Sequence, residues 1–196
     1  MNFKIIKQDS NYIEFILCGS EIDSALANFF RHIITNYIPI YAIDTVDFFN
    51  HDSQVFSMQF IAHRLGQLPI KYDKNIPEWL FLDIKNNTKD ILTVYSNDIE
   101  PKNIIVFPQI PLLKLCPNEE LKYACKIRKS IGAEHVKWSP VTIATYQEIK
   151  NNEFLFKIES VGQIPIKKLI KMTFKIMFLY LKEFKEQIKE IEPTYS

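Results

Sequence analysis

The stretch from residue 162 to 191 limits what this chain can fold into more than any other. Gly162 and Pro165 mark a turn, and Ile166, Leu169, Ile170, Thr173, Ile176, Met177, Tyr180, Phe184, Ile188 and Ile191 then recur at helical spacing. At 1.5 Å per residue the helix is about 40 Å long. Met172, Phe174, Phe178 and Leu179 fall off that stripe, so apolar side chains occupy most of the circumference. One sheet face cannot cover such a helix. A second cover is required, and two are open: another polypeptide, or the chain's own middle portion. Lys167, Lys168, Lys171 and Lys175 make bilayer insertion costly, so no membrane span is expected.

Upstream, residues 3–7 and 12–17 are rich in Ile, Phe and Tyr and flank Gln8-Asp9-Ser10-Asn11, which predicts a β-hairpin. Asp23 or Ser24 can cap a helix in which Ile22, Leu26, Phe29, Phe30, Ile33, Ile34 and Tyr37 make a wide stripe. Arg31 stands off the stripe and is expected to face outward. Pro39 ends that helix, and residues 41–48 read as a strand. A second helix is predicted over residues 57–65, stopped by Gly66 and followed by Pro69. Residues 71–149 change character, with short strands expected at 91–95, 104–107, 112–115, 121–128 and 143–149, broken by Pro and Asn. They form a β-rich inserted unit in this reading, and residues 154–160 resume as a strand.

Hydrophobic residues make up 47% and charged residues 24%, which fits a globular chain. The 24 Lys and Arg nearly balance the 23 Asp and Glu, so the net charge of +1 offers phosphate backbones no broad attractive field. The first residues run straight into apolar alternation, without the pattern of a secretory signal. Cys18, Cys116 and Cys125 have unrelated spacings and no CxxC, which argues against a disulfide framework or a cysteine zinc site and for a reducing compartment. His32, His51, His63 and His135 form no metal-ligand motif, and the four glycines are isolated rather than grouped in a phosphate loop. No metal, cofactor or catalytic residue is expected.

Four blocks resemble a known family. Ala27-Asn28-Phe29-Phe30-Arg31-His32, followed by Ile38-Pro39-Ile40-Tyr41-Ala42-Ile43-Asp44-Thr45-Val46, is similar to the first helix and following strand of the alpha-like subunits of DNA-directed RNA polymerases built from many chains. That family takes in the third-largest subunit of eukaryotic polymerase II, its archaeal counterpart and, more distantly, bacterial alpha. The run from Phe60 to Ile70, FIAHRLGQLPI, resembles the family's FIAHRLGLIPL block. The run from Gly132 to Val141, GAEHVKWSPV, resembles its GIGKEHAKWSPV block, and Glu159-Ser160-Val161-Gly162 resembles its ESVG turn. His32 stands where the family has a second arginine, and the cysteines do not provide the zinc or iron–sulfur ligands that some relatives carry.

The resemblance implies an α+β fold: a split alpha-like dimerisation domain, an antiparallel sheet packed with helices, over residues 1–47 and 151–196, interrupted by an inserted β-rich domain over residues 48–150. It implies a non-catalytic assembly subunit that heterodimerises with a smaller alpha-like subunit and then receives the second-largest subunit. Small zinc-binding polymerase subunits are further candidate partners, and DNA is met only indirectly through the complex. The expected partner-binding residues are Leu26, Phe29, Phe30, Arg31, His32, Ile33, Ile34, Tyr37, His63, Arg64, Lys137, Trp138, Ile176, Tyr180 and Phe184. Plainer readings stand beside them: His63 and Arg64 as helix-end charges, Trp138 as a core anchor, Lys137 and Arg31 as solvated charges. The expected location is the nucleus, with a cytoplasmic viral factory as the alternative. A stand-alone homodimer that binds RNA or a peptide is the competing function, disfavoured by the missing basic aromatic surface motif.

Overall fold

A computed structural model describes residues 2–53 and 55–191 of the chain, the side chains of 190 and 191 excepted. The elements in order are β1 (Asn2–Gln8), β2 (Tyr12–Cys18), α1 (Ser24–Asn36), β3 (Ile40–His51), α2 (Met58–Gly66), β4 (Trp79–Lys85), β5 (Leu92–Tyr95), β6 (Pro111–Leu115), β7 (Glu120–Ser130), β8 (Val141–Lys150), β9 (Glu153–Ser160) and α3 (Ile166–Ile191). The fold is α+β, with antiparallel sheets and a few helices. The chain divides into two compact units, Met1–Ile38 with Ile131–Ser196, and Pro39–Ser130. The expected boundary at 47/48 falls inside β3. Residues 141–150, expected in the middle unit, form β8 in the first sheet.

The first unit is a four-stranded sheet in the order β1-β2-β9-β8. The period-two pattern of β2 and β9 sends Ile13, Phe15, Leu17, Phe154, Phe156 and Ile158 into the core. α1 is capped by Asp23, whose carboxylate accepts the Leu26 amide at 2.8 Å, and it buries Ala27, Phe30, Ile33 and Ile34. Phe30 sits among Phe156, Phe174 and Phe15, with ring centroids at 5.2, 5.1 and 5.9 Å. α3 adds Ile166, Leu169, Ile170, Thr173 and Met177. Its entry is fixed by Gly162 at φ 96°, a left-handed geometry that favours glycine, while the buried Ser160 hydroxyl donates to Ile164 O and accepts from Gly162 N.

In the second unit, β3-β7-β4 form one sheet and β5-β6 a second. α2 is capped by Ser57 and buries Ile61 and Leu65 in a core with Leu80, Leu82, Val94, Leu113, Leu121 and Tyr123. β4 is not among the expected strands although Leu80, Leu82 and Ile84 carry its alternation, because Pro77 and Asn86-Asn87 bracket a short run. Residues 104–107 do not form the expected strand. They make one bridge, Ile70 to Ile105, and the flanking prolines lack the amide protons a longer ladder needs. The expected stripe member Ile191 has its side chain outside the described residues, as do residues 192–196 of the expected terminal domain segment.

Candidate assembly surfaces

The burial that α3 obtains from its own unit stops part-way along the helix. Leu169, Thr173 and Met177 are buried, whereas Phe178, Leu181 and Phe184 are 66%, 51% and 60% exposed. An apolar groove of about 320 Å³ runs beside them, lined by Leu17, Leu26, Phe30, Phe174, Met177, Phe178 and Leu181. Lys182, Lys185, Glu186 and Lys189 form a polar margin on the same helix, with Lys182 pairing Glu186 at 3.8 Å. At the sheet's edge, Phe3 and Ile5 of β1 are also exposed, and Phe3 stacks on Phe15 at 4.4 Å. Together they make an apolar face with a charged rim, the composition of an interface.

The expected contact residues separate into three groups. Leu26, Phe29, Tyr37 and Ile176 are half-buried, and Tyr180 and Phe184 are exposed. Tyr37 packs on Tyr180 at 5.4 Å and on His32 at 5.4 Å, so α1 and α3 meet through a row of rings. Phe30, Ile33 and Ile34 lie inside the chain's own core, and their burial needs no partner. Trp138 is buried too, with the Lys137 ammonium 4.3 Å above its ring. The loop before it is held by Ala133 N donating to Asn36 O at 3.0 Å, and a Cβ on Gly132 would come within 2.3 Å of Thr35 O, which explains the glycine that opens this block.

Arg31 is held against its own helix, donating from Nε and Nη2 to Asn28 Oδ1 at 3.2 and 2.9 Å. His32 is exposed beside it. On α2, His63 is exposed, and Arg64 donates from Nη2 to Pro111 O at 2.5 Å with its guanidinium 5.6 Å from the Phe60 ring centroid. Leu17, Phe174, Phe178 and Leu181 are not among the contact residues expected from the sequence. The signal that identifies Phe174 and Phe178 is their position off the α3 stripe, where apolar residues have no reason to be unless something else covers them.

Cys125 is buried, and burial, helped by the Asp47 charge, pushes its thiol up to about 12, so it carries almost no thiolate at neutral pH. His135 Nδ1 is taken by the Lys137 amide at 3.1 Å. Among the described residues, no group of three or more His, Cys, Asp or Glu side chains is placed to hold a metal ion, and no helix is long and apolar enough to cross a membrane.

The family model of the RNA polymerase Rpb3/Rpb11 dimerisation domain matches residues 17–178, a span that includes α1, the strands from β3 to β9 and the first half of α3. The chain belongs to that family. It is an alpha-like subunit of DNA-directed RNA polymerase. The DNA-directed RNA polymerase subunit Rpo3 of Methanocaldococcus jannaschii is 30% identical over 169 residues, 86% of this chain and 87% of that protein. From Dictyostelium discoideum, DNA-directed RNA polymerase II subunit rpb3 is 33% identical over 72% of this chain, and DNA-directed RNA polymerases I and III subunit rpac1 is 31% identical over 74%. The chain spans about half of those two relatives, 55% and 52%. In this alpha-like subunit, the matched region closes at Phe178, where the uncovered part of α3 begins.

Proposed function

We propose that the chain is a non-catalytic assembly subunit that heterodimerises with a smaller alpha-like subunit through the exposed half of α3 and the adjoining groove. The observation that carries this is the exposure of Phe178, Leu181 and Phe184 on a helix whose preceding turns are buried. Covering each of these side chains contributes at most about 1.5–3 kcal/mol, and the adjoining groove must add to that sum to offset the cost of association. Leu26, Phe29, Ile176 and Tyr180 extend the contact, while Phe30, Ile33 and Ile34 support it from within. The unit Met1–Ile38 with Ile131–Ser196 serves as the dimerisation domain and Pro39–Ser130 as the β-rich insertion.

The heterodimer then receives the second-largest subunit, with Arg31, His32, His63, Arg64 and Lys137 as docking candidates. Small zinc-binding subunits are further partners, DNA is engaged only through the complex, and the nucleus is the expected location. Catalysis belongs to the large subunits. A tagged copy purified at moderate salt, with mass spectrometry of what stays bound, tests the assignment. Two very large polymerase subunits and a small alpha-like chain are the expected companions; recovery of the chain alone or paired with itself would favour the stand-alone binding protein.

A further inference from the structure

Among the described residues, the cation at the end of α2 has no acidic partner. Arg64 Nε is buried and among the described residues has no hydrogen-bond partner, while Nη2 donates to a neutral acceptor, the Pro111 carbonyl. A groove of about 300 Å³ opens here, lined by His63, Arg64, Gln67, Leu68, Ile110 and Leu112, with no acidic residue among them. Phe60, one turn back, is 43% exposed under the guanidinium and stacks on Phe56 at 5.5 Å. Favourable contact with the helix's last carbonyls explains basic residues at this end. It does not explain an arginine directed onto β6 with its Nε unpaired among the described residues, beside a partly exposed aromatic ring.

We propose that this groove receives a segment of a partner chain that places an Asp or Glu carboxylate on Arg64 and His63, with an adjacent apolar side chain against Phe60. The inference rests on the assembly reading above and assigns this surface to a chain other than the one that covers α3. Charge complementarity selects the occupant: a planar fork of N–H donors suits a carboxylate, and the apolar lining suits a hydrophobic neighbour. A nucleic-acid backbone is the weaker fit, because a lone arginine and a histidine above an apolar floor give no run of phosphate contacts.

The test uses the intact complex, purified from cells in which the tagged chain carries a benzophenone amino acid at Gln67 or, separately, at Phe184. The Gln67 probe is expected to cross-link to a peptide of a large polymerase subunit bearing Asp or Glu beside the attachment point. Arg64→Gln should lower that yield by about tenfold while the Phe184 cross-link to a small alpha-like chain persists, which also shows that the variant is folded. An acid-free peptide, nucleic acid, the same chain that Phe184 captures, or a yield indifferent to Arg64→Gln would overturn the proposal. Loss of the Phe184 cross-link alone would sink the α3 reading and leave the groove standing, and loss of both would sink both.

Discussion

The two halves of α3 both carry large apolar side chains, and these meet opposite fates. In the first half, Leu169, Thr173 and Met177 are buried with Phe30, Phe15 and Phe156 in the core of their unit. In the second, Phe178, Leu181 and Phe184 continue the helix with side chains just as apolar and remain more than half exposed. Nothing in local propensity separates them, since Leu, Met and Phe make helix equally well in either half. What differs is whether the sheet and α1 extend far enough to cover them. Apolar periodicity reports that a face will be covered; it does not report by which chain.

Substitutions can break or sharpen that contrast. Leu169→Asp or Phe30→Asp would put an unpaired charge into the unit's own core, costing about 3–5 kcal/mol, and circular dichroism should show the cooperative melt of the isolated chain lost. The same charge at Leu181 should move that melt by no more than about 0.5 kcal/mol. Equal damage at positions 169 and 181 would mean that the second half is covered by its own chain. Gly132→Ala is expected to cost about 1–3 kcal/mol through overpacking against Thr35 O, without selective loss of any partner. Arg31→Glu should leave the small alpha-like partner bound and weaken retention of the second-largest subunit, read by salt-dependent co-purification. Loss of both partners together would show the two faces to be one. The smallest effect concerns the thiols: at neutral pH a thiol reagent should modify half-buried Cys18 and Cys116 before Cys125, whose pKa near 12 lets reactivity rise only as the solution becomes strongly alkaline.

Much of the fold was legible in the residues. The hairpin, a cap at Asp23 or Ser24 that the structure gives to Asp23, the break at Pro39 and the Gly162 turn follow from local chemistry, and each holds in the structure. The strand β8 was legible too, but not its membership: pairing with β9 is a non-local choice that no pattern within residues 141–150 encodes. The site was legible as a surplus of apolar residues on α3 and illegible in its division. Phe30, Ile33 and Ile34 look like interface residues because a helical stripe is the same for a core and a partner. Trp138 shows the converse, since a turn rich in charged neighbours holds a ring that the unit keeps for itself.

The central claim is that the second half of α3 is covered by another alpha-like chain. The most direct measurement purifies tagged wild type and Leu181→Asp side by side at moderate salt and compares the bound proteins by mass spectrometry. A folded Leu181→Asp chain that has lost the small alpha-like subunit, and with it the two largest subunits, is the predicted result. A folded variant that keeps the full set of partners would contradict it.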